Sequence, residues 1–261
     1  MAQKLSIALF IPTYNVQGEI IPVLRAIPIE VLERLGKVYI IDNGSTDKTI
    51  DEIKVYLESQ NNSKFELYQN KVNEMLGGST INAFNKSMHD DINFLICLHG
   101  DGQAKPKDLK QFIKKIDCNN DLDFILGSRF LSNSKVAEYS LIRLFFNKVF
   151  CYLQWLIIQQ KVYDLGAFIG FNINTIKQVD FQSLPRDMGY HPYLILVICK
   201  KLKRKIKFAE FPISWGEVKS TNINVFSYGL VHLKKILLLL GGVVLYKKVG
   251  VSSSGYDIKI N

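Results

Sequence analysis

Five short apolar runs limit what this chain can fold into more than any other feature. They are LSIALFIP (5–12), KVYIID (37–42), KFELYQ (64–69), NFLICL (93–98) and DFILGS (123–128). Each is rich in Ile, Leu, Val, Phe and Tyr and is mostly apolar on both faces. That composition suits a parallel strand covered by helices on either side. The intervening segments have helical length and spacing. Ile50, Ile53 and Leu57 recur within 46–59, and Leu109, Phe112, Ile113 and Ile116 within 106–116. Thr46 or Asp47 is expected to cap the first helix, and Pro106 to sit in the first turn of the second. The alternation predicts an α/β architecture: a doubly wound, Rossmann-like, mostly parallel sheet flanked by helices. A chain of 261 residues with 48% hydrophobic content can bury one sizeable core. Its 22% charged content argues against bulk disorder.

In such sheets ligands bind beyond the carboxyl ends of the strands. Small, polar or acidic residues follow every predicted strand. Pro12, Thr13, Tyr14 and Asn15 follow the first, and Asp42-Asn43-Gly44-Ser45-Thr46-Asp47 the second. Gly77-Gly78-Ser79-Thr80 opens the helix after the third. His99-Gly100-Asp101-Gly102-Gln103 follows the fourth, and Gly127-Ser128-Arg129 the fifth. Any one of these could be a simple turn. Five on one edge point to a site. No GxGxxG follows the first strand and no GxxxxGK[ST] occurs, which argues against a nicotinamide cofactor and a P-loop enzyme. HExxH and GxSxG are absent too. Acidic loops attract phosphate only with a divalent cation between carboxylate and phosphate oxygens.

In order and spacing, IPTYN, IDNGSTDKT, LHGDGQAKP and GSRF resemble family 2 glycosyltransferases of the GT-A fold. The resemblance is to the branch similar to dolichol-phosphate mannose synthases and bacterial polyprenyl-phosphate glycosyltransferases. It runs from residue 5 to about 130 and continues more weakly through 164–172 and 189–215. It implies a glycosyltransferase domain over 1–215, with a nucleotide-sugar half (1–130) and an acceptor half (131–215), followed by a C-terminal helical segment (216–261). It implies that Pro12, Thr13, Tyr14 and Asn15 border the base and ribose of a UDP- or GDP-linked sugar. Asp42 matches the residue that recognises the base, and Asn43 replaces a second acid beside it. Gly77 and Gly78 are expected to let backbone approach the donor. The fourth loop matches an Asp-x-Asp-type motif in which Gly100 and Asp101 border the donor, with His99 at the first acidic position and Gln103 at a further ligand position. Asp101, His99 and Gln103 would thus hold Mn²⁺ or Mg²⁺. Arg129 matches a basic residue near the diphosphate or the acceptor phosphate. Asp164 matches an acidic position that either activates an acceptor hydroxyl or holds an acceptor loop. The implied reaction is a metal-dependent, inverting transfer to a polyprenyl phosphate or a cell-envelope glycan.

The resemblance leaves rivals. A non-catalytic homologue could bind nucleotide sugar without turning it over. A sugar nucleotidyltransferase should carry a Gly-rich basic loop after the first strand, which IPTYNVQGE lacks. Net charge is +9, and KKLKRKIK (200–207) is strongly basic. No aromatic-interleaved basic motif accompanies it, so nucleic acid is not expected. The apolar stretches 140–158 and 236–246 are either buried helices or helices lying in a membrane interface, with neighbouring lysines at head-group level. Four scattered cysteines without a CxxC pair fit a reducing compartment. The expected location is cytoplasmic, peripheral to the inner face of a membrane.

Overall fold

The computed structural model describes residues 4–137, 141–165, 167–202, 205–216, 225–246 and 258–260. In chain order its elements are β1 (Ile7–Thr13), α1 (Ile20–Arg25), α2 (Ile29–Arg34), β2 (Lys37–Asp42), α3 (Thr49–Gln60), β3 (Phe65–Gln69), α4 (Met75–His89) and β4 (Phe94–Cys97). A 3₁₀ turn (Pro106–Asp108) then leads into α5 (Leu109–Cys118), β5 (Phe124–Ser128), β6 (Lys135–Val136) and α6 (Leu141–Ile158). β7 (Phe168–Asn172), α7 (Ile173–Ile176), α8 (Tyr190–Leu202), β8 (Phe208–Pro212), β9 (Ser214–Trp215), α9 (Val225–Leu240) and β10 (Ile258–Ile260) complete the order.

The five predicted strands are all present, and the sheet runs β10-β3-β2-β1-β4-β7-β5-β8. Parallel pairing joins β3, β2, β1 and β4, and also β5 and β8. β10 pairs antiparallel with β3 at one edge, and β7 is the departure inside the sheet. It lies between β4 and β5 and runs antiparallel to both. β6 and β9 form a separate two-stranded sheet.

Alternation along each strand builds two cores, one on each face of the sheet. Ile7, Leu9 and Ile11 of β1 face the layer of α1, α2, α3 and α5, whereas Ala8 and Phe10 face the layer of α4, α6, α8 and α9. Apolar residues on both faces are therefore what the position requires. Phe168 at the start of β7 is fully buried and packs on Phe112 of α5, ring centroids 4.4 Å apart. Phe112 in turn meets Phe211 of β8 at 4.9 Å.

Two local expectations change. α3 begins at Thr49, after both expected caps. Asp47 still serves its entry, because its carboxylate accepts the Thr49 amide at 3.0 Å. The apolar stretch 236–246 is not one helix. α9 ends at Leu240, and Gly242 takes φ +84°, a left-handed conformation that favours glycine. Within it Lys235 is not at the surface: it is 3% exposed and donates to both Asp187 carboxylate oxygens at 2.7 and 2.6 Å. Lys247 and Lys248 lie outside the described residues.

Phe168→Ala removes the ring that joins β7 to α5. It should lower unfolding free energy by about 3–5 kcal/mol in a denaturant titration, the usual cost of emptying a buried Phe site.

Candidate active site

Because β1, β2, β3, β4, β5 and β8 run the same way, their carboxyl ends share one edge. The opposed strand β7 enters at that same edge. There the fourth and fifth loops meet Ala167 and Asp164.

The first two loops are zipped together. The amides of Asn15, Val16, Gln17 and Gly18 donate in turn to Ser45 Oγ, Thr49 Oγ1, Asp47 Oδ2 and Glu52 Oε2 at 2.9, 2.9, 3.1 and 2.9 Å. Asn15 adopts φ +50°, a left-handed conformation that Asn tolerates, and its Oδ1 accepts the Thr46 amide at 2.8 Å. Tyr14 is left 42% exposed on the edge, while Pro12 is half-buried and Thr13 buried.

Asp42 has a different place from the one expected. It has no exposed surface. Its carboxylate accepts from the Gly44 and Ser45 amides at 3.1 and 2.9 Å, from Ser45 Oγ at 2.5 Å, from Gln69 at 3.3 Å and from Thr13 Oγ1 at 3.4 Å. A side chain so occupied shapes the loop rather than meeting a base. Asn43 is likewise turned inward: Oδ1 accepts from Asn70 Nδ2 and the Glu74 amide, and Nδ2 donates to Asn73 Oδ1.

Gly77 and Gly78 are also redirected. A Cβ on Gly77 would lie 2.5 Å from Arg186 Cα, and the Gly77 amide donates to Arg186 O at 2.9 Å. A Cβ on Gly78 would meet the Glu74 side chain at 2.3 Å, and Glu74 pairs with Arg186 at 2.8 Å. The glycines let α4 approach the 185–189 loop. Those places are filled by the protein itself, not open to a donor.

In the fourth loop the histidine is a hydrogen-bond donor. His99 Nε2–H donates to Ala167 O at 3.1 Å, and its ring meets Trp215 edge-on at 6.0 Å. An acidic residue could not donate there. With Nε2 committed, only Nδ1 of the neutral ring offers a lone pair. Gly100 is needed for packing, since a Cβ would come within 2.9 Å of the Thr13 methyl. Asp101 is half-buried, and its Oδ1 accepts the Gln103 amide at 3.0 Å, which leaves Oδ2 available. Gln103 O accepts the Gly216 amide at 2.8 Å, tying the loop to the end of β9. Among the described residues no group of three or more His, Cys, Asp or Glu side chains could hold a metal. The loop thus offers Asp101 Oδ2 and His99 Nδ1. A divalent ion there would take its other ligands from phosphate oxygens and water; Mn²⁺ accepts the imidazole, whereas Mg²⁺ would rely on the oxygen donors. On that donor set the residues fit a substrate-borne cation.

Arg129 and Asp164 form the strongest polar contact on the edge. Arg129 Nε and Nη2 donate to Asp164 Oδ2 and Oδ1 at 2.8 and 3.0 Å, and the Arg129 amide donates to Oδ2 at 3.1 Å. Asp164 is 4% exposed. The guanidinium also lies 5.2 Å from the Trp215 ring and 5.4 Å from that of Phe130. His99, Trp215, Arg129, Asp164 and Ala167 therefore close a ring of contacts. A carboxylate gripped this way orients an arginine; it is poorly placed to take a proton from an acceptor.

Two polar residues at the site were missed by sequence reasoning. His191 on α8 is buried, and its Nε2–H meets Thr80 Oγ1 at 2.8 Å while the Thr80 hydroxyl donates to Leu76 O. Burial first, and then the neighbouring His99, push its pKa down to about 3, so it stays neutral. The other is Glu210 on β8, whose carboxylate accepts the Tyr163 amide at 3.0 Å and the Asp164 amide at 2.9 Å. Burial, aided by the Asp164 charge, pushes its pKa up to about 7 against these hydrogen bonds. Both lie in the weaker part of the family resemblance, His191 in GYHP and Glu210 in EFPISW, where the sequence singled out neither residue.

Doubly wound sheet, polar carboxyl edge and opposed seventh strand together define the GT-A class of fold. Residues 8–175 match the Glycosyl transferase family 2 domain, and the chain belongs to that family: it is a glycosyltransferase. It is 25% identical over 245 residues to a dolichyl-phosphate beta-glucosyltransferase of Dictyostelium discoideum, covering 88% of this chain and 72% of that protein. It is 24% identical over 255 residues to the Saccharomyces cerevisiae protein of the same description, covering 91% and 75%. Among solved structures, glucosyl-3-phosphoglycerate synthase of Mycobacterium tuberculosis, with Mn²⁺, UDP and phosphoglyceric acid, superposes with TM-score 0.65 at 11% identity, over 97% and 85% of the two chains. A Pyrobaculum calidifontis mannosyltransferase with GDP-Man and Mn²⁺ gives 0.59 at 12% identity, over 92% and 64%.

The raised pKa of Glu210 sets a pH dependence of stability. Its ordinary value is 4.5 and its folded value about 7, so the fold holds a proton that the unfolded chain releases earlier. The contribution is complete below about 4.5 and is lost as pH rises through about 7. Wild type minus Glu210→Gln, compared by thermal melting from pH 5 to 8, should show this loss.

Proposed function

We propose that the chain transfers a sugar from a UDP- or GDP-linked donor to a lipid phosphate of the polyprenyl type, with inversion and with Mn²⁺ or Mg²⁺. The observation that carries this is the pairing of a one-carboxylate loop, His99–Gln103, with a fixed arginine, Arg129, across a single edge. In this reading residues 1–130 hold the donor and 131–215 the acceptor. Tyr14 and the zipped loop 13–18 border the nucleotide; Asp42 and Asn43 set the loop's shape from behind. Asp101, with His99 Nδ1, would hold the cation, which when bound stabilises the negative charge gathering on the departing diphosphate. Arg129, its planar fork fixed by Asp164, presents positive charge to donor or acceptor phosphate. A phosphate acceptor is already anionic and needs no base, consistent with Asp164 being paired. The dolichyl-phosphate relatives support this acceptor class.

The acceptor half and the C-terminal segment together carry an apolar surface. Val149, Tyr152 and Trp155 on α6 are 39%, 60% and 41% exposed, and Leu230, Val231 and Leu237 on α9 are 53%, 48% and 53% exposed. Among the described residues no helix is long and apolar enough to cross a membrane. Exposed apolar and aromatic residues on packed helices, with exposed Lys148 and Lys234 among them, suit an interfacial seat on an anionic bilayer. The basic patch 200–207 adds attraction, with Lys200, Lys201, Lys205 and Lys207 exposed; residues 203 and 204 lie outside the described residues.

A donor panel with Mn²⁺ or Mg²⁺ and polyprenyl phosphate, read as nucleoside diphosphate release, tests the reaction. Asp101→Asn should lower kcat at least 10²-fold, on the order of what one preorganised electrostatic group supplies. Undiminished turnover in that variant removes the cation assignment, and donor binding without turnover on any acceptor supports the non-catalytic alternative. Separately, the wild-type chain should float with anionic liposomes at low salt, and Tyr152→Glu/Trp155→Glu should not.

A further inference from the structure

We infer that Glu210 is a positioning residue of the transfer site: it holds the Tyr163–Asp164 segment so that Asp164 keeps the Arg129 guanidinium in place. Four contacts converge on its carboxylate. Oε1 accepts the Tyr163 amide at 3.0 Å and the Asp164 amide at 2.9 Å, and Oε2 lies 3.2 Å from the same Tyr163 nitrogen. The Ser128 hydroxyl, one residue before Arg129, is its further partner. One side chain thus grips both halves of the pair, the end of β5 that carries Arg129 and the segment that carries Asp164. β8 is registered for it, with Glu210 opposite Leu126 of β5. The Tyr163 peptide is also held from its other side, because Cys151 Sγ of α6 donates to Tyr163 O at 3.0 Å.

Acceptor oxygens suit this setting: once ionised, as pH rises through about 7, the Glu210 carboxylate accepts from two amides and a hydroxyl with no proton left to place. An amide of the same size would turn an NH₂ group towards one of those donors. A half-buried carboxylate beside the Asp164 carboxylate is electrostatically unfavourable in itself, so its retention needs the return that these donors provide. Glu210 lies behind Asp164 and acts on transfer through Arg129. The inference rests on the reading that the Arg129–Asp164 pair serves transfer.

The test is a double-mutant cycle on nucleoside diphosphate release, or on nucleotide-sugar binding should the chain bind without turnover. Glu210→Gln should lower kcat on the order of 10²-fold, as small misplacements of a catalytic group do, with KM for the nucleotide sugar little changed. Asp164→Asn should cost a similar factor. The double variant should be no worse than Asp164→Asn alone, because Glu210 acts through that residue. Glu210→Asp, which keeps the charge, should recover part of the activity, and it replaces the Gln variant in the cycle if that one fails to fold by circular dichroism. Additive losses, or wild-type kcat in Glu210→Gln beside an impaired Asp164→Asn, overturn the inference alone. Wild-type turnover in Asp164→Asn instead overturns the reading of the pair.

Discussion

The site depends on one strand running against its neighbours. β7 is inserted between β4 and β5 and pairs antiparallel with both. Its first residue therefore lies at the edge where the parallel strands end. Had β7 been parallel, its entry would sit at the opposite edge, roughly 17 Å away for a five-residue strand. As built, the chain leaving α6 passes Asp164 and Ala167 through the gap between the fourth and fifth loops. Ala167 O accepts the His99 Nε2–H hydrogen bond and Asp164 accepts from Arg129. Phe168 then anchors the turn in the core below.

The rest of the edge is cross-linked by its own side chains. Four consecutive amides of the first loop are spent on side chains of the second loop and of α3, and Asp42 and Asn43 are spent on the loops themselves. Buried polar groups are costly unless every one finds a partner, and here they find each other. Among the described residues of the edge, the Tyr14 ring, one oxygen of Asp101 and one nitrogen of His99 are not spent in this way, and the Arg129 guanidinium is held by Asp164. A preorganised edge of this kind avoids an ordering cost on binding. It also separates two kinds of polar residue that look alike in sequence. Asp42 and Asp101 both close apolar strands, yet one is fully enclosed and the other half-open.

The first five strands were legible because burial on both faces leaves dense apolar runs. The edge residues were legible because polar turns recurred after each run. β7 and β8 were not. FIGFN is five residues with a glycine at its centre, and FAEFP is a half-buried edge strand with a charge in it. Their places are set by partners distant in sequence, which no local pattern encodes. The same limit applies to single residues. Gly77 and Gly78 signal close approach, but only the fold shows that Arg186 and Glu74 are what approach. The spacing singled out His99, yet its role as donor depends on a carbonyl 68 residues further on.

The apolar helices are not appendages to this site. α6 runs directly into the segment carrying Asp164, and Cys151 of α6 is bonded to Tyr163 O. Lys235 of α9 grips Asp187, and the neighbouring Arg186 backbone seats on Gly77 at the start of α4. Burying Lys235 is tolerable only because both Asp187 oxygens receive it, so the contact fixes α9 against the 185–189 loop. The elements that expose apolar side chains are thus tied to segments beside the edge, α6 to Tyr163 and α9 to the 185–189 loop. A water-soluble acceptor would need no such coupling. A phosphate on a lipid tail would meet both at once: the tail at the outer face of α6 and α9, the phosphate at Arg129. Under the proposed reading, the geometry that fixes the arginine and the geometry that would seat the chain on a bilayer are therefore parts of one structure.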